Sequence, residues 1–201
     1  MASEFNILLA GVGGQGVILM SELLGKAAIA EGLRVRGSEV LGMAVRGGSV
    51  TSIVRIGDDV HGPLIPQGKC HALVALEPSE ALRHVSYLSG AGLTILNTTP
   101  IVPFTVPLGQ SDYPRLDLVL EKLSGVGGKV ITLDAARIAQ DAGSLQAANI
   151  VMLGALFGIE LLPIKVATMK ETIEARFPAK LAVVNITAFD LGYQACRQAV
   201  G

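Results

Sequence analysis

The chain has 201 residues, half of them hydrophobic, with 16 basic and 17 acidic side chains and a formal net charge of -1; residues 1–201 therefore suffice for one well-buried core and read as a single domain. The balanced charge, the absence of Trp and an aromatic content of 4% offer no field or stacking platform for nucleic acid or an anionic membrane. Cys70 and Cys196 lie far apart without CxxC or other metal spacing, which fits a reduced cytoplasmic protein with buried thiols and no metal or iron–sulfur cluster of its own.

In chain order, the apolar run Phe5 to Ala10 predicts a strand that breaks into Gly11-Val12-Gly13-Gly14-Gln15-Gly16. Val17 to Glu31 follows as a helix with Val17, Met20, Leu23, Leu24 and Ala27 on one face and Gly32 placed to end it. Leu33 to Arg36 alternates as a second strand, Ser49 to Ile56 is a β-rich run, and Glu39 to Gly48 between them reads as a loop. Ala72 to Leu76 is a short buried strand, Pro78 suits the first turn of a helix over Ser79 to Leu88, and Leu93 to Asn97 gives another strand.

Pro100, Pro103, Pro107 and Pro114 mark a long surface connection. Leu116 to Leu123 then predicts a helix, Lys129 to Leu133 a strand, and Asp134 caps a short helix to Ala142. From Leu145 the pattern is helical only, over Ala147 to Phe157, Lys165 to Phe177 and Ala179 to Ala199. The alternation predicts an α/β fold, a Rossmann-like open and mostly parallel sheet flanked by helices, with a helical C-terminal segment. A mean hydropathy of +0.53 is high for a soluble monomer and points to apolar surface buried against partner subunits.

The turn at Gly11, Gly13, Gly14, Gln15 and Gly16 meets the spacing G-x-G-x-x-G between a strand and a helix, where backbone N–H groups and the helix dipole favour an anion. A dinucleotide site would add an acidic residue after the second strand; that strand carries Arg34 and Arg36, and Glu39 is the nearest acid beyond. The same turn could instead pack helix on strand or meet a neighbouring subunit. In the second loop, Arg46, Gly47, Gly48 and Ser49 place a guanidinium beside two permissive glycines and a hydroxyl, which suits a phosphate or carboxylate or is simply a tight bend. Cys70-His71 lacks further ligands for a metal, and neither His61 nor His84 forms part of a nucleophile arrangement. No catalytic residue is identifiable. Asn149 is an unusual polar residue at the start of an apolar helix, suited to bond a loop or line a site.

The glycine turn, the segment from Ser38 to Val50, and Asn149-Ile150-Val151-Met152-Leu153-Gly154-Ala155-Leu156 together resemble the gamma-type subunits of 2-oxoacid:ferredoxin oxidoreductases. The likeness covers nearly the whole chain and is strongest to the indolepyruvate branch, where the corresponding chain is the beta subunit; His61 to Pro66 and Glu77 to Arg83 favour that branch, while Leu41 and Val45 replace its usual His and Gln. The resemblance implies a complex that oxidatively decarboxylates a 2-oxoacid, such as an aryl pyruvate, to an acyl-CoA and passes electrons to ferredoxin. It also implies thiamine diphosphate and iron–sulfur clusters on a partner subunit, coenzyme A as acyl acceptor, and no activity for this chain alone. On it, Gly11 to Gly16 become a ligand- or interface-facing turn and Arg46 to Ser49 a second loop at the same edge. A free-standing NAD(P)-binding oxidoreductase and a non-catalytic binding module are the alternatives.

Overall fold

The computed structural model describes residues 4–42 and 46–200. Among these residues six strands form one sheet in the order β2-β3-β1-β4-β5-β6. Its centre is β1 (Phe5–Val12), buried along its whole length, which pairs antiparallel with β3 (Ser49–Ile56) and parallel with β4 (Cys70–Ala75). β5 (Leu88–Asn97) and β6 (Lys129–Leu133) extend the parallel side.

Helix α1 (Val17–Ala30) buries Val17, Met20, Leu23, Leu24, Ala27 and Ala28, the stripe its periodicity predicts. Gly32, at φ 74°, stops it: its N–H donates to Ile29 and that of Leu33 to Ala28, each at 2.9 Å, the paired bonds of a Schellman end. The next unit departs from expectation. β2 spans Val35–Leu41 and pairs antiparallel with β3, so the first three residues of the expected loop, Glu39, Val40 and Leu41, are strand, and Met43, Ala44 and Val45 lie outside the described residues. A hairpin lets β3 return directly, and it inserts between β2 and β1 as the antiparallel member of the sheet.

Helices α2 (Pro78–His84) and α3 (Leu116–Ser124) cover one face, where Ala81, Val119 and Leu123 pack on Leu8, Leu73 and Leu96. The expected helix to Leu88 ends at His84, a single 3-10 turn follows, and β5 starts five residues earlier than Leu93, reaching Cys70 across an irregular register. The opposite face is covered by α1, α4 (Ala135–Asp141), α5 (Ala148–Gly158), α6 (Val166–Arg176) and α7 (Ala179–Val200). α5 is buried from Asn149 to Gly158, and glycines let it lie backbone to backbone on α7. A Cβ on Gly154 would stand 2.0 Å from the Phe189 carbonyl oxygen, and one on Gly192 would stand 2.0 Å from that of Val151. Among the described residues, no helix is long and apolar enough to cross a membrane.

Candidate functional site

From β1 the chain leaves through α1 toward β2 and β3, whereas from β4 it leaves through α2 toward β5. The carboxyl ends of β1 and β4 thus diverge, which is where open α/β sheets place ligands. The glycine turn sits at this point. Gly14 and Gly16 take φ of 100° and 80°, a region that L side chains rarely adopt. Gly11 and Gly16 also lack room: a Cβ would stand 2.7 Å from Gln15 Oε1 and 2.3 Å from Asn149 Nδ2, respectively.

Three carboxamides order the cleft, and their backbone partners fix which end is oxygen and which nitrogen. Gln15 Oε1 accepts the Val12 N–H at 2.8 Å while its Nε2 donates to the Leu76 carbonyl at 2.8 Å. Asn97 Nδ2 donates to the same carbonyl at 3.0 Å and its Oδ1 accepts the Ala135 N–H at 3.0 Å. Asn149 Oδ1 accepts the Ile150 N–H at 3.0 Å and its Nδ2 reaches the Gly16 carbonyl at 3.4 Å. Around them lies a cavity of about 230 Å³ with Gly14, Ile101, Ala136 and Met152 in its wall and no charged side chain among the described residues that line it.

The second loop is laced to the first. The Gly13 N–H donates to the Gly48 carbonyl at 2.8 Å and the Gly47 N–H to the Gly13 carbonyl at 3.2 Å, with Gly47 at φ 73°. Arg46 is exposed on this rim. Ser49 faces inward instead: its hydroxyl donates to Glu80 Oε2 at 2.6 Å, and Glu80 Oε1 pairs with Arg83 at 3.1 Å. Burial pushes the Glu80 carboxyl above its ordinary value, against the bonds from Ser49 and Arg83. Glu77, fully buried, caps α2 by accepting the Glu80 N–H at 3.1 Å and accepts the hydroxyls of Ser79 and Tyr113. His84 Nε2 lies 2.9 Å from the Thr51 hydroxyl, and burial, then Arg83, hold its imidazole below the ordinary range.

The expected site residues Gly11 to Gly16 and Arg46 to Gly48 therefore meet at one edge, with the Ser49 side chain turned away into the protein. The sequence gives no site role to Asn97, Glu77, Glu80 or Tyr113; the capping pattern Glu77-Pro78-Ser79-Glu80 is the available signal for two of them. Cys70 is buried at the start of β4 and Cys196 on α7, and among the described residues no three His, Cys, Asp or Glu side chains gather to hold a metal. The basic residues of the second strand region lie away from the turn: Arg34 pairs with Asp58 at 3.0 Å, and Arg36 is on β2, separated from β1 by β3.

A family model described as pyruvate ferredoxin/flavodoxin oxidoreductase matches residues 6–195. The chain is 41% identical over 199 residues to indolepyruvate oxidoreductase subunit IorB of Thermococcus kodakarensis, covering 98% of each chain. It is 43% identical over 190 residues to the subunit of that name from Archaeoglobus fulgidus, covering 94% of each. The solved pyruvate oxidoreductase subunit PORC of Thermotoga maritima superposes with a TM-score of 0.72 at 26% identity, over 96% of both chains.

Proposed function

This chain belongs to the pyruvate ferredoxin/flavodoxin oxidoreductase family, and on that premise we propose that it works as the gamma-type subunit of a 2-oxoacid:ferredoxin oxidoreductase acting on an aryl pyruvate such as indolepyruvate. The assembled enzyme releases carbon dioxide from the 2-oxoacid, transfers the acyl group to coenzyme A and passes two electrons to ferredoxin. The observation that carries the reading is end-to-end identity of 41% and 43% with subunits of indolepyruvate oxidoreductases, against 26% with the pyruvate oxidoreductase subunit.

The residues present do not fit an iron–sulfur cluster, since two buried cysteines on separate elements cannot supply four thiolates. Clusters and thiamine diphosphate belong to the partner subunit, and no chemical step is assigned to a side chain of this one. Its contribution is a wall: a rigid sheet edge with the glycine turn, an exposed Arg46 beside it, and the exposed apolar residues Phe104 and Leu108 available for the partner. The hairpin argues against a free-standing NAD(P) enzyme, because antiparallel β3 occupies the place beside β1 where a ribose-binding parallel strand would stand.

Co-expression with the thiamine-binding partner tests the reading. A stable heteromer that reduces ferredoxin with indolepyruvate and coenzyme A, and loses this activity without the present chain, is expected. Preference for pyruvate would overturn the substrate alone; full activity of the partner by itself would overturn the subunit role.

A further inference from the structure

Strand β2 ends the sheet among the described residues, with β3 on one side and no strand on the other. Its hydrogen-bond phase is set at both ends: the Gly42 N–H donates to the Ser49 carbonyl at 2.9 Å, and the Gly57 N–H to the Arg34 carbonyl at 3.0 Å. Bonded pairs alternate along an antiparallel ladder, so the even-numbered residues of β2 are the ones that bond β3. The N–H and carbonyl groups of Val35, Gly37, Glu39 and Leu41 therefore point out of the sheet. Arg36 marks this direction, since its guanidinium reaches the Val35 carbonyl at 3.1 Å.

Open edges are ordinarily blunted by proline, lysine or a bulge. Val35–Leu41 contains neither residue, its register with β3 runs without a break, and Val40 and Leu41 are 59% and 57% exposed. Beside this edge, α1 and β2 border a groove of about 450 Å³ whose lining includes Ser21, Gly25, Val35 and Gly37. A Cβ on Gly25 would have nothing within 4 Å, so the groove has room for a side chain. Glu39 lies on the α1 side, where its carboxylate accepts the Ser21 hydroxyl at 3.2 Å. By the alternation of a strand, Val35, Gly37 and Leu41 share that side, while Arg36, Ser38 and Val40 take the other.

We infer that β2 pairs antiparallel with β2 of a second copy of this chain, with Ser38 on the two-fold axis, joining two sheets into one. A two-fold axis perpendicular to the sheet brings together residues that point to the same face, which leaves few registers. Centring on Glu39 would set two like carboxylates opposite each other, and centring on Gly37 would leave Leu41 beyond the end of the second β2. Centring on Ser38 engages all four outward residues of both copies, about eight backbone bonds. It sets Leu41 opposite Val35 of the second copy, at the groove, and Val40 opposite the apolar stem of Arg36 of the second copy. The exposed apolar side chains of the edge are thus each met by a group that the same strand supplies. The pairing does not depend on the chemistry assigned to the assembled enzyme.

Cysteine crosslinking of the full chain tests the register, because Cys70 and Cys196 are both fully buried and stay silent. At a non-bonded antiparallel pair the two Cα atoms lie about 4.5 Å apart, within the roughly 4.4–6.8 Å that a disulfide spans. Ser38→Cys should therefore give a covalent dimer under mild oxidation roughly tenfold faster than Arg36→Cys, whose two copies would stand about 13 Å apart. Sedimentation of the parent chain should show a reversible dimer, and Leu41→Lys should weaken it about tenfold with an unchanged circular dichroism spectrum. A parent that stays monomeric both alone and bound to its thiamine-binding partner overturns the inference. So does equal crosslinking of the two cysteine variants, or a folded Leu41→Lys chain as dimeric as the parent. Loss of the thiamine-binding partner from Leu41→Lys, with no dimer in the parent, would likewise overturn it and assign the edge to that subunit. The subunit role itself is judged separately, by assembly and ferredoxin reduction.

Discussion

Gln15 and Asn97 donate to one and the same acceptor, the Leu76 carbonyl oxygen, at 2.8 and 3.0 Å. With Leu76 N–H on the Ala10 carbonyl and Asn97 Oδ1 on the Ala135 N–H, this ties β1, β4, β5 and the start of α4 into one edge. Gln15→Ala strands the buried Val12 N–H and removes half of the clamp. The expected loss is about 1–3 kcal/mol of unfolding free energy, read as a lower urea midpoint with unchanged slope. A variant of wild-type stability would mean that water replaces Gln15 without cost.

The contact between α5 and α7 predicts a larger effect. Gly154→Ala sets a methyl 2.0 Å from the Phe189 carbonyl oxygen, and Gly192→Ala does the same at Val151. Neither obstacle is a flexible side chain, so the helices must separate. Each substitution should cost about 3 kcal/mol or more, beyond the common range for overpacking. The double variant should cost less than the sum, since one separation relieves both clashes; thermal unfolding of the three variants checks this.

The parts of this architecture legible in the sequence were those with local causes. β6 begins and ends where its apolar run does, Asp134 caps α4 through the Arg137 N–H, and Gly32 ends α1, because caps and periodicity act over a few residues. The hairpin was not legible, since β2 and β3 carry the same β-type pattern and nothing local says that β3 returns beside β1. The Tyr113–Glu77 bond joins residues 36 positions apart and is invisible to spacing. Gln15 falls at a free position of the glycine motif, and only the fold shows why its carboxamide is needed there.

Two titrating groups on α2, the half-buried His84 and the buried Glu80, should give opposing pH slopes. His84 is depressed below 6.5, so the folded chain binds fewer protons than the unfolded one; its contribution is full above 6.5 and lost as pH falls through the folded value. Glu80 is raised above 4.5, so its contribution is full below 4.5 and lost as pH rises through the folded value. Urea midpoints between about pH 5 and about pH 7.5 should therefore fall less on acidification in His84→Gln than in the parent. Glu80→Gln should gain on the parent as pH rises across the same window. Parallel profiles for parent and variants would show that neither group titrates as its burial dictates.

Arg46 carries the last prediction, and it separates an anion contact from a purely structural bend. The guanidinium is exposed on a loop whose backbone is fixed by the Gly13–Gly48 and Gly47–Gly13 bonds, so removing the side chain leaves the loop's described backbone anchors in place. If Arg46 meets an anionic group of coenzyme A in the assembled enzyme, Arg46→Ala should raise the apparent coenzyme A requirement roughly tenfold, with the 2-oxoacid requirement unchanged. Arg46→Lys should recover only part of this, because an ammonium cannot make two parallel bonds to one phosphate or carboxylate. A partner's acidic side chain as the true contact would show instead as weaker assembly in gel filtration, aggravated by salt. An unchanged coenzyme A requirement in an intact complex would reduce Arg46 to a solvated corner of the turn.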